Sequence, residues 1–151
     1  MARVTRTRTV EAPSSEVWKL VSDPYNLPRW WPRTARVENV DPKPGGKRTQ
    51  WTKVLQTSEG RSVRADFRCV SSAERERYAW EQDLAGTPFE RHLKALRVEV
   101  GLREREGGTE VSLTEEQSLK GMSKLGSPLM RRARREVLDE ALDGIEGALS
   151  R

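Results

Sequence analysis

The chain has one cysteine, Cys69, and one histidine, His92. A lone cysteine makes no internal disulfide, which points to a reducing compartment. One cysteine and one histidine also fall short of the ligand sets that zinc sites use, so no metal and no cofactor is expected. A Cys69–His92 nucleophile pair is disfavoured, because Cys69 lies two residues from Phe67 on an apolar strand face, where a thiol is inert. No apolar run approaches the ~20 residues that a membrane helix needs. Arg3, Arg6 and Arg8 stand where a secretory signal would be apolar. A cytoplasmic protein with no integral membrane association is the expectation. Gly45-Gly46 and Gly107-Gly108 fall between strands rather than before helices, so they read as turns and not as phosphate loops.

Charge is plentiful but mixed: 28 Lys and Arg against 23 Asp and Glu, a net +5. The basic residues are interleaved with acidic ones, and only Arg131, Arg132, Arg134 and Arg135 cluster. Nucleic-acid binding needs charge gathered on one face, so no nucleic-acid partner is expected. At 151 residues the chain makes a single domain, 1–151, able to bury roughly 70% of its unfolded surface. Apolar residues are 34% of the chain, but five are Trp, each a large buried area.

Residues 3–11 alternate and carry Val4, Thr5, Thr7, Thr9 and Val10, the pattern of a strand. After Ala12-Pro13 the period changes. Ser14 or Ser15 is placed to cap a helix that buries Val17, Trp18, Leu20 and Val21. Pro24, Pro28 and Pro32 confine the next segment to a second short helix. Strands are then expected at 35–41, 47–57, 61–72, 74–84, 90–105 and 109–119, separated by Gly- and Pro-rich turns. Ser71 to Glu76 is the exception, with neither residue to mark the turn. The short connections predict an antiparallel meander. From 123 to 150, Met130, Ala133, Val137, Ala141, Ile145 and Ala148 recur at helical spacing, with Arg132→Glu136 and Arg135→Asp139 placed as i,i+4 ion pairs. The fold class is therefore α+β: a seven-stranded antiparallel sheet wrapped around a long C-terminal helix, with two short helices after the first strand.

A strongly twisted sheet around one helix leaves space between them. Strand alternation puts Phe67 and Cys69, then Tyr78, Trp80 and Gln82, on the inner face. The same parity brings in His92, Leu96 and Val98, then Val111, Leu113, Glu115 and Gln117. In 47–57 the preferred inward set is Trp51 and Leu55 with Lys53 between them, while Lys94 reads as reaching solvent. Polar groups buried without partners cost on the order of 1–3 kcal/mol each. An apolar cavity with a few convergent polar groups is the form of a small-molecule site; a bulge that turns Glu115 outward is the alternative. Trp30 and Trp31 cannot both point inward from one short helix, and one of them is a candidate for the cavity mouth. Ala133, Ala141, Gly144 and Ala148 on the helix either admit close approach or leave volume. The candidate ligand-binding residues are Trp30, Trp51, Phe67, Tyr78 and Trp80, with Gln82, His92, Glu115, Gln117 and Met130.

The stretch from Thr9 to Pro32 carries Ala12-Pro13, Val17-Trp18, Ser22-Asp23-Pro24 and Trp30-Trp31-Pro32 at characteristic spacings. It resembles the opening of the SRPBCC superfamily, which includes START domains, the birch-pollen allergen type and bacterial polyketide cyclase/dehydrase-like proteins. The run Gly86-Thr87-Pro88-Phe89-Glu90-Arg91-His92-Leu93 and the helix from Arg132 to Leu149 are similar to the polyketide cyclase-like branch. The resemblance spans nearly the whole chain and implies a helix-grip fold. For function it implies binding of a small apolar, aromatic or polyketide- or lipid-like molecule, or a cyclase or dehydratase acting in the same cavity. In the second case His92, Glu115 or Tyr78 would move a proton; no motif carries catalytic residues over position by position. A monomer or a weak homodimer is expected.

Overall fold

The computed structural model describes residues 2–57, 59–91, 93–119 and 128–150. Strand β1 (Ala2–Val10) leads into helix α1 (Ser14–Val21), a 3-10 turn (Pro24–Asn26) and helix α2 (Leu27–Trp30). Strands β2 (Thr34–Asp41), β3 (Gln50–Gln56), β4 (Ser62–Ala73), β5 (Arg77–Asp83), β6 (Leu93–Arg105) and β7 (Gly108–Leu119) follow, and helix α3 (Pro128–Leu149) closes the order. All seven strands form one antiparallel sheet in the order β1-β7-β6-β5-β4-β3-β2. From β2 to β7 it is the expected meander, and β1 closes beside β7, so β1 and β2 are the edges. This is the helix-grip arrangement.

Differences from the sequence reading lie at boundaries and have local causes. Ser14 does not cap α1; Pro13 occupies the cap position without a side-chain bond. The Ser14 hydroxyl instead donates to Glu104 at 2.7 Å and accepts from Arg75 at 2.8 Å. That same Arg75 takes the left-handed conformation, φ 62°, and makes the unmarked turn before β5. Ser14 and Glu104 thus hold, through Arg75, a turn that neither Gly nor Pro forms. Strand β6 begins at Leu93 because Pro88–Arg91 wind into a 3-10 turn. The pair Arg132–Glu136 forms at 3.4 Å, whereas Asp139 pairs across to Arg6 on β1 at 2.8 Å rather than with Arg135. Residues 123–127, expected to be helical, lie outside the described residues, as does His92.

Parity on the inner face follows the alternation. Ala65, Phe67 and Cys69 of β4, Tyr78, Trp80 and Gln82 of β5, and Val98, Val100 and Leu102 of β6 are all buried. A bulge in β4 between Cys69 and Ser71 shifts register only beyond that set. The opposite face carries the charge, as Arg68–Glu81, Arg64–Glu38 and Arg105–Glu110 pairs. On this face the basic residues are therefore interleaved with acidic partners rather than gathered into a stripe.

Helix α3 packs against β1, β7, α1 and α2. Leu138, Ala141, Leu142 and Ile145 are buried there, while in its first turns Leu129 is 77% exposed and Ala133 is exposed as well. A Cβ at Gly144 would overlap the backbone of Trp30, so this small residue serves close approach of α2 to α3. Arg8 on β1 adds pairs to Asp143 and Glu146 at 2.5 and 2.6 Å. No helix of the described residues is long and apolar enough to cross a membrane.

Candidate functional site

The first half of α3 stands off the sheet, and the space beneath it is a cavity of about 760 Å³. Its apolar wall comes from Phe67 on β4, Trp80 on β5, Leu96 and Val98 on β6, and Val137 on α3. Trp31, Pro32 and Arg33, leading from α2 into β2, form another part of the rim, with Phe89 from the 3-10 turn. This volume lies within the range of ~300–1,000 Å³ usual for small-molecule pockets.

Besides Arg33, Gln56 and Thr57, the polar residues lining this cavity are Lys53, Gln82, Glu115, Gln117 and Arg134. Glu115 is 3% exposed and is gripped by Arg134, which donates Nε to Oε2 at 2.9 Å and Nη2 to Oε1 at 2.5 Å. Gln117 Nε2 donates to Glu115 Oε1 at 3.1 Å. A buried carboxylate is tolerable only when paired in this way. Arg134 keeps its own hydration in part, with a side chain 32% exposed.

Lys53 is built differently. It is 4% exposed, and its ammonium nitrogen sits 5.1 Å from the Trp31 ring centre and 4.8 Å from that of Phe67, within cation–π range. Among the described residues no carboxylate lies within ion-pair distance of it. Burial, the largest influence, pushes its pKa down to about 7; Glu115 opposes the shift and Arg134 adds to it. Gln82 is 9% exposed, and its amide nitrogen finds no hydrogen-bond partner among the described residues.

The residues singled out from the sequence divide into groups. Phe67, Trp80, Gln82, Glu115 and Gln117 come together on the cavity wall. Trp51 and Tyr78 lie in the core beside it: Trp51 stacks on Phe67 at 6.2 Å and on Tyr78 at 6.5 Å between ring centres. Burial pushes the Tyr78 phenol and the Cys69 thiol upward, so neither ionises readily. Trp30 and Trp31 are both buried, against the expectation that only one could turn inward. Trp31 sits past the helix end in extended backbone, and this directs it to the cavity while Trp30 packs edge-on against Trp31 and Trp80. Met130 borders a separate crevice with Ala2 and Val4 on the other side of the Glu115–Arg134 pair. His92 lies outside the described residues.

The two charged residues that flank Glu115 and Phe67, Arg134 and Lys53, were not among the sequence candidates. Lys53 shares its parity with Trp51 and Leu55, and that signal was legible. Arg134 read as one of a surface cluster; its place four residues after Met130 and four before Leu138, both on the inward side, was the available clue. Among the described residues no group of three or more His, Cys, Asp or Glu side chains could hold a metal ion.

Residues 1–149 match the family described as polyketide cyclase/dehydrase and lipid transport. The fold is similar to that of a START superfamily protein from Mycobacterium smegmatis, with a TM-score of 0.78 at 16% identity over 99% of this chain and 97% of that one. It is similar to Ara h 8.0201, with a TM-score of 0.74 at 19% identity over 97% and 95% of the two chains. The di-domain ARO/CYC BexL from the BE-7585A biosynthetic pathway gives a TM-score of 0.73 at 17% identity, with 99% of this chain covering 50% of that one. No curated protein sequence matches the chain. At these identities the solved structures show the shared fold alone.

Proposed function

The chain belongs to the polyketide cyclase/dehydrase and lipid transport family, and on that premise we propose that it holds a small apolar, ring-bearing molecule in the cavity between the sheet and α3. The observation that carries this reading is volume left unfilled behind an aromatic and aliphatic wall. About 760 Å³ stands open beside Phe67, Trp80, Leu96, Val98 and Val137. Leaving such surface unburied forgoes roughly 25 cal/mol per Å², and a guest recovers it.

Of the three groups that the sequence offered for cyclase or dehydratase chemistry, His92 lies outside the described residues and the other two are held away from it. Glu115 is committed to Arg134 and Gln117, and Tyr78 is not on the cavity wall but in the core beside it. Neither is free to exchange a proton with a guest.

Native mass spectrometry of freshly purified protein, with titration by the neutral fluorophore N-phenyl-1-naphthylamine, tests the reading. Fluorophore binding should quench tryptophan emission, since Trp31 and Trp80 line the cavity. Val137→Trp should fill the space and weaken binding by about tenfold or more, with the thermal midpoint little changed. Absence of both a co-purified ligand and fluorophore binding would reject the proposal.

A further inference from the structure

The polar groups in this cavity are unequally satisfied. The acceptor, Glu115, has its oxygens filled by Arg134 and Gln117. The donors are not: Gln82 Nε2 is buried without a partner, and the Lys53 ammonium, which makes no hydrogen bond or ion pair, borders the cavity over the rings of Trp31 and Phe67, both statements holding among the described residues. Charge is unbalanced in the same sense. Arg33, Lys53 and Arg134 line the space against the single carboxylate of Glu115, and Arg33, exposed at the rim, pairs with no acid among the described residues.

A buried donor without an acceptor costs about 1–3 kcal/mol, more if charged, and a cation in a low-dielectric recess attracts one anion strongly. A core lysine serving only to pack would be replaced at no loss by methionine, which has the same length and no charge to desolvate. The chemistry therefore calls for an acceptor from outside the chain.

We propose that the cavity selects apolar molecules bearing one anionic oxygen group, a carboxylate, phenolate or enolate, seated against Lys53 and Gln82 with the hydrocarbon part against Phe67, Trp80 and Val98. This rests on the reading that the cavity takes an apolar guest, and it names the head group that guest carries. Seating the anion holds Lys53 in its charged form. Because burial brings the free amine to about 7, binding near or above that pH draws a proton from the buffer.

The test uses two probes of nearly equal size, naphthalene-2-carboxylate and naphthalene-2-methanol, titrated calorimetrically into the full chain at about pH 6 and pH 8. The carboxylate should bind about ten- to a hundredfold more tightly than the alcohol at the lower pH, the ratio expected of one charge-assisted hydrogen bond. In Lys53→Met that ratio should collapse to within about threefold. At the higher pH its binding heat should vary with the ionisation enthalpy of the buffer, the mark of proton uptake. Equal affinity for the two probes in the unaltered protein would overturn the head-group proposal while leaving apolar binding intact. A preference that survives Lys53→Met would overturn the role of this lysine. If neither probe binds, the underlying reading fails with it. The comparison within the unaltered protein decides the matter even if the variant folds poorly.

Discussion

At one end of the space between sheet and helix, Leu138, Ala141, Leu142 and Ile145 of α3 close against Val4, Val10, Val111 and Leu113, and Gly144 lets the Trp30 backbone rest on the helix. At the other end the same sheet and the same helix part around Lys53, Gln82 and Glu115. The difference lies in side-chain size and charge along continuous elements rather than in topology. Strand β7 illustrates it: Val111 and Leu113 are apolar, and two residues on the inward position becomes Glu115. A charged side chain there needs a partner, and Arg134 supplies it from the standing-off part of α3. The packed end sustains the fold, which frees the other end to carry groups that a core would reject.

The contrast is most exposed to a deletion at the packed end. Leu142→Ala should cost about 2–5 kcal/mol, the range for removing a fully enclosed leucine, read as a lowered midpoint in urea unfolding. A loss well under 1 kcal/mol would mean that this end is looser than its burial indicates.

At the open end the sign reverses. Lys53 has a pKa of about 7 when folded, against 10.5 for an unperturbed lysine. The unfolded chain therefore binds the extra proton between those limits, and stability should rise with pH through that window. Below it both states are protonated and the burial penalty is fully felt. The slope should approach ~1.4 kcal/mol per pH unit above the folded pKa. It is best read between about pH 7 and 8.5, before Cys69 ionises in the unfolded state. Of the charged residues that line the same cavity, Glu115 raises the Lys53 pKa and Arg134 lowers it. Lys53→Met should flatten the slope and stabilise the protein at about pH 6 by roughly 1–4 kcal/mol. A destabilised variant with an unchanged slope would contradict the unpaired state of this amine.

The smallest effect belongs to the exposed surface of the first turns of α3. Arg132→Ala removes a pair to Glu136 whose side chains are both well exposed, and it should shift stability by no more than about 0.5 kcal/mol. A larger loss would show that the first turns of α3 are held by more than Arg134.

Periodicity made most of the fold legible in the sequence: strand alternation set the inner face of β4 to β7, and the 3.6-residue period set α3. Turns were harder where long-range bonds replaced glycine, as with Arg75, whose conformation depends on Ser14 and Glu104 far away in sequence. The apolar cavity wall followed from strand parity. The ion pair across the gap was harder, because only the four-residue spacing of Arg134 from Met130 and Leu138 marks which arginine of four turns inward. Nor could the pattern separate Trp30 from Trp31, whose divergence arises from one change of backbone conformation at the end of α2.

Gly144 carries an implication for how such a molecule diversifies. Any side chain there would collide with the α2 main chain, so that locus is closed to change. Positions such as Leu96, Val98 and Val137, by contrast, border open volume. A lineage could retailor its cargo by drifting at those wall positions alone, and the fastened end would keep the scaffold through every exchange.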